Sequence, residues 1–162
     1  SYRQRGQRRQ HPSQREGSVV NDLVGMDKVL ALQAELSKLP QYEPETKHYF
    51  HGGMYCREVW RPAGVLVVGA VHKKEHFYLI VSGTVGITTD DGVQEITGPH
   101  LFSSKPGTKR AVYAVTDALC MTFHALEAKT VEEAEAELVE AEPDNMYSPG
   151  NRIKNQPQEV LL

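Results

Sequence analysis

Cysteine is scarce in this 162-residue chain, with two residues, and tryptophan occurs once. Cys56 and Cys120 both fall in stretches with strand character, and neither belongs to a Cys-x-x-Cys pair that could hold zinc or run a thioredoxin-like exchange. Both are therefore expected as buried, reduced thiols, as in a cytoplasmic product. No apolar run approaches the roughly 18 residues that would span a bilayer. A Gly-rich phosphate loop and a Gly-x-Ser-x-Gly nucleophile turn are also absent, which removes nucleotide binding of that type and α/β-hydrolase chemistry. No basic segment followed by an apolar stretch opens the chain, so secretion by a cleaved signal is not expected. A first residue Ser1 is what removal of an initiator Met before a small residue leaves.

Acids are missing from residues 1–15, which hold Arg3, Arg5, Arg8, Arg9 and Arg15, and bases are missing from 132–144, which hold Glu132, Glu133, Glu135, Glu137, Glu140, Glu142 and Asp144. The net charge of −3 hides this segregation, and the two ends are expected to attract each other or their neighbours in an oligomer. A run of Arg with Gln, Gly, Pro and Ser cannot bury enough apolar surface to fold alone, so residues 1–18 are predicted to form a basic extended arm. With Tyr2 as its one aromatic residue, the arm lacks stacking platforms, and docking on an acidic protein surface is expected rather than on nucleic acid.

A hydrophobic content of 40% suffices for one packed domain. Residues 19–46 are predicted as an amphipathic helix over about 22–39 and a linker, with Met26, Val29, Leu30, Leu36 and Leu39 at helical spacing and Pro40 as the stop. That face is expected to pack on the outside of the domain. Residues 47–126 read as short strands near 55–60, 64–71, 77–81, 84–89, 93–97, 100–103, 110–115 and 118–126. Asp91-Gly92 is placed at a type I′ hairpin turn. The continuous apolar run Val65–Val68 predicts a strand buried on both faces. Eight short strands at this spacing predict an all-β fold with flanking helices, a barrel or double-sheet jelly roll. Thr130-Val-Glu-Glu133 is a capping box that starts an acidic helix within 127–142, ending before Pro143. Residues 143–162 are predicted as an extended tail whose apolar end, Val160, Leu161 and Leu162, would fill a groove on a neighbouring subunit.

Within the β region, Gly69-Ala-Val-His72-Lys-Lys-Glu75-His76 leads to Gly83, and Lys105-Pro106-Gly107-Thr-Lys-Arg110 follows. In a straight strand His72 and His76 would stand about 13 Å apart on one face, too far to share a metal. A shared site requires the chain to turn at Lys73-Lys74-Glu75.

These segments resemble the two cupin motifs, G-x5-H-x-H-x3,4-E-x6-G and P-x-G-x2-H-x3-N, over roughly residues 48–126, which implies a cupin-like jelly-roll β-barrel. Aligned on Gly83, His76 stands at the glutamate position, His72 at the second histidine, Ala70 at the first, and Arg110 at the histidine of the second motif. One of four metal-ligand positions matches. A guanidinium offers a metal no lone pair and repels a cation. The leading expectation is therefore a barrel without cofactor, its histidines hydrogen-bonded and Arg110 paired to Glu75 or Glu58.

Two alternatives remain open. A metal-dependent enzyme, of isomerase or oxygenase type, would hold one divalent transition metal on His72, His76 and His124, with Glu75 or Tyr113 moving protons. A metal-free sugar- or small-acid-binding barrel would use Arg110, Trp60, Tyr78 and Tyr113. The block Glu58-Val-Trp60-Arg-Pro62-Ala-Gly64, with the His72/His76 and Lys105–Arg110 segments, also resembles small cupin-like proteins encoded among structural genes of tailed bacteriophages. That resemblance implies a non-catalytic virion component, a head decoration or cement protein or a head–tail or tail accessory piece. Its partners would be copies of itself and other structural proteins, with no membrane.

Overall fold

The computed structural model describes residues 25–89, 91–142 and 145–154. Helix α1 (Met26–Leu36) precedes nine strands: β1 (Glu45–His51), β2 (Met54–Arg61), β3 (Leu66–Val68), β4 (His76–Ser82), β5 (Thr84–Thr89), β6 (Gly92–Thr97), β7 (His100–Ser104), β8 (Ala111–Ala114) and β9 (Ala118–Ala125). Helix α2 (Val131–Leu138), strand β10 (Tyr147–Ser148), a 3₁₀ turn (Pro149–Asn151) and strand β11 (Arg152–Ile153) follow.

The strands form two antiparallel sheets in the orders β1-β2-β9-β4-β7 and β3-β8-β5-β6, plus the small β10-β11 hairpin. Side chains alternate between faces with period two. From β4, Tyr78 and Ile80 point inward; from β5, Val85 and Ile87; Val112 of β8 and Ala118 and Cys120 of β9 complete one core, with Ile96 and Phe102 packed against it. The all-β barrel predicted from strand spacing is therefore what the chain forms.

Gly83 sits where the chain passes from one sheet to the other at φ 83°, and a Cβ there would lie 2.1 Å from the Asp117 carbonyl oxygen. Only glycine fits that backbone and that gap.

Several elements differ from the sequence expectations. β1 lies outside the strands predicted, while the strand expected over 64–71 contracts to Leu66–Val68. Helix α1 does pack on the outside of the barrel, but with Val29, Leu32 and Leu36 against Leu66, Val68 and Ala111. Met26, Leu30 and Leu39 stay exposed, so the apolar stripe read from spacing was rotated. Cys120 is buried and Cys56 half-buried, both as free thiols. In the β5–β6 hairpin Gly92 takes φ 115°. The Thr130 hydroxyl accepts from the Glu133 amide at 3.2 Å, whereas the Glu133 carboxylate reaches one residue beyond the cap to the Lys129 amide.

Part of the expected tail folds back on its own barrel. The Tyr147 hydroxyl donates to the Tyr42 carbonyl oxygen at 2.8 Å, Asn151 donates to the Thr46 hydroxyl at 3.0 Å, and Arg152 pairs with Glu43. The arm arginines Arg3, Arg5, Arg8, Arg9 and Arg15, and the terminal Val160, Leu161 and Leu162, lie outside the described residues.

Candidate functional site

A cavity of about 110 Å³ opens inside the barrel, walled by β2, β3, β4, β8 and β9 and bordered by Asn145, Tyr147, Ser148 and Asn151 of the folded-back tail. Alternation on β2 aims Tyr55, Arg57, Val59 and Arg61 inward, and on β4 it aims His76, Tyr78 and Ile80 inward.

The turn that a shared histidine site requires is present. Residues 73–74 bend, and the segment is pinned on both sides: Gly107 donates to the His72 carbonyl at 2.7 Å, Lys73 to the Leu138 carbonyl at 2.7 Å, and Glu140 to the Val71 carbonyl at 2.9 Å. Glu142 reinforces it, accepting from the Val71 amide at 3.0 Å and from the buried Lys109 ammonium at 2.6 Å. The His72 and His76 rings consequently lie 4.4 Å apart, and His124, adjacent on β9, stands 4.7 Å from His76 and 5.9 Å from His72.

All three imidazoles are held neutral. Burial, with His76 and Arg57 adding positive charge nearby, lowers the pKa of His72 to about 3. Burial and the neighbouring His76 and His72 lower His124 to about 2. His76 is lowered chiefly by burial as well. His124 Nε2 meets the Thr122 hydroxyl at 2.8 Å, His76 Nδ1 meets the Lys74 carbonyl oxygen at 3.3 Å, and His124 Nδ1 is buried with no partner.

Cupin folds imply a metal at such a cluster, and the donor set can be tested against one. Among the described residues no group of three or more His, Cys, Asp and Glu side chains is arranged to hold a metal ion. No carboxylate stands among the three rings to offset a dication. Arg57 and Arg110 are instead close enough to lower the pKa of His76. As arranged, the residues do not fit a divalent metal.

Arg110 does point into the cavity. It donates to the Thr88 carbonyl at 2.6 Å and to the Ser104 hydroxyl at 2.9 Å, and its guanidinium lies 5.0 Å from the centre of the Phe102 ring. The expected partners are elsewhere: Glu58 faces Lys47 at 3.6 Å, and Glu75 is exposed. Tyr78 lines the cavity, whereas Trp60 and Tyr113 are exposed and absent from its wall.

Sequence reasoning missed Arg57 and Arg61. Their signal was the alternation Tyr55-x-Arg57-x-Val59-x-Arg61, which puts two arginines on the same face as two buried residues. Arg57 pairs with Glu135 of α2 and donates to the Tyr55 hydroxyl at 3.2 Å.

No protein-family model and no curated protein matches the sequence. Among solved structures, salicylate 1,2-dioxygenase from Pseudoaminobacter salicylatoxidans with gentisate adducts is similar at a TM-score of 0.50 and 12% identity. The match covers 69% of this chain and 33% of that one. A Cupin_2 domain of an XRE-family transcriptional regulator from Enterobacter cloacae matches at TM-score 0.46 and 9% identity, over 54% of this chain and 100% of that domain. A cupin superfamily protein from Desulfitobacterium hafniense matches at TM-score 0.44 and 14% identity, over 56% of this chain and 86% of that one. At these identities the likeness concerns fold alone. With two antiparallel sheets closed around an inward-facing core, the chain has the cupin-like jelly-roll fold.

Proposed function

We propose that the protein is a non-catalytic component of a larger assembly, in which copies of the barrel join through the outer face of the five-stranded sheet. The observation that carries this reading is the composition of that face. Tyr49, Cys56, Phe123 and Phe77 form one row across four paired strands, and Met121, Leu79 and Leu101 form the next. Phe77 and Leu101 are 54% and 55% exposed. Contiguous exposed apolar surface of this kind marks a protein contact.

Its charge favours a second copy as the occupant. The ionic groups at its margin include Lys47 and Glu58, which already face each other at 3.6 Å. Glu45 lies beside them, and a margin of mixed sign can meet itself about a two-fold axis with opposite charges paired. The assembly implied by the sequence resemblance is a tailed-bacteriophage particle, with this chain as a decoration, cement or tail accessory protein and residues 1–17 as its docking arm. The enzyme alternative needs a donor set that the three imidazoles do not complete.

Light scattering coupled to size exclusion tests the pairing. The full chain should run as a dimer or higher oligomer, and Phe77→Asp with Leu101→Asp as a folded monomer; a wild-type monomer would overturn self-association. Deleting residues 1–17 should abolish incorporation into particles while the barrel stays folded, and normal incorporation would remove the arm from the mechanism.

A further inference from the structure

The three arginines aimed into the barrel are not equivalent. Arg57 is matched by Glu135, and Arg110 is held by Ser104 and the Thr88 carbonyl. Arg61, at the end of β2, has its Nε and Nη1 shut off from solvent and without a hydrogen bond, and the polar groups beside it are the Tyr78 hydroxyl and the Cys120 thiol, with no carboxylate among them. The Tyr78 hydroxyl, on the neighbouring wall of the same cavity, is also buried and without a partner. Burial pushes the Tyr78 pKa up to about 12, so the phenol keeps its proton and stands as a donor.

A guanidinium stays charged and is strongly disfavoured when buried without an anion. The Tyr78 phenol beside it keeps its proton and does not offset that charge. A buried guanidinium with no carboxylate beside it, next to a phenol on the same void, describes a receptor for an acceptor that carries negative charge. Val59, Val67, Val112 and Cys120 supply the apolar part of the wall, and Thr122, opposite Tyr78, and Tyr147 supply hydroxyls.

We propose that the barrel interior binds a small monocarboxylate, its head group accepting hydrogen bonds from Arg61 and Tyr78 and its short apolar body lying against Val59, Val67 and Val112. A doubly charged phosphate is the poorer fit, since one guanidinium without a carboxylate beside it is available among the described interior arginines. The imidazoles of His72 and His76, which line the same cavity, are held neutral by burial and supply no second positive charge. This site is independent of the assembly role: it asks what fills the barrel, and the outer sheet face asks what covers it.

The test is a thermal-shift and calorimetric titration of the full chain with propionate, butyrate and benzoate. Chloride at matched ionic strength and the neutral isosteres propionamide and butanol serve as controls. Carboxylates should raise the melting temperature by several degrees and the neutral isosteres should not. Arg61→Met should lose the carboxylate response while melting, without ligand, at or above the wild-type temperature, because it removes an uncompensated buried charge. Tyr78→Phe should weaken binding about tenfold or more, the value of a hydrogen bond to a charged group, and it serves if Arg61→Met does not fold. A wild-type chain with no carboxylate-specific shift would overturn the proposal, as would a variant of either kind that binds as well as wild type.

Discussion

At the scale of single residues, His72 and His124 tie stability to pH. Their folded-state pKa values of about 3 and about 2 lie below the ordinary 6.5. The unfolded chain therefore takes up protons that the folded chain refuses. Stability is fully present above about pH 6.5 and falls as the pH drops below it, toward the folded pKa values. At pH 5 each histidine contributes a loss of up to about 2 kcal/mol, from the linkage of one proton over about 1.5 pH units. Urea denaturation at pH 7 and pH 5 should show this loss, and His124→Gln should flatten the slope; equal stability at the two values would contradict neutral burial. The residue types and spacing made the cluster legible, because His72 and His76 needed only the turn at 73–75 and His124 lies on an adjacent strand. Arg61 was not legible as special, since its singularity is the absence of a partner, a property of three-dimensional neighbours.

At the scale of elements, the links between distant segments were what the sequence concealed. β1 escaped because its inward residues, Thr46, His48 and Phe50, carry no clean apolar alternation. The segment 145–154 reads as a solvated tail by its Pro, Gly and Asn content, and its anchors join residues 105 positions apart. The acidic run of helix α2 gives no sign of a buried partner, yet Glu135 pairs with Arg57, and both side chains are largely buried, at 14% and 13% exposure. Glu135 also receives the Gly150 amide at 3.5 Å, linking helix, barrel and tail. Glu135→Gln would strand the Arg57 guanidinium and should cost about 3–5 kcal/mol in urea denaturation, as for other buried pairs broken on one side. The double variant Arg57→Met with Glu135→Leu should recover most of that loss. A single variant within about 0.5 kcal/mol of wild type would show that the pair carries no stability.

At the scale of the whole molecule, charge is sorted by depth as well as along the chain. The net charge is −3, yet the barrel interior gathers Arg57, Arg61, Arg110 and the neutral His72 and His76 around one void, with Glu135 as the matched acid at its edge. Such an interior favours an anion and opposes a divalent cation. Neutral imidazoles are competent ligands in principle, since metals bind the unprotonated form. The opposition comes from the guanidinium charge beside them, which is permanent. Protein purified without chelators and without a histidine tag should therefore carry well under one transition metal per chain by inductively coupled plasma mass spectrometry. The double variant His72→Ala with His76→Ala should leave that content unchanged. Stoichiometric metal that disappears in the variant would mean that the three rings reorganise around a cation and displace Arg57 or Arg110 from it. The barrel would then have to be read as a metal-dependent catalyst, and the anion-favouring interior as the place where its substrate sits.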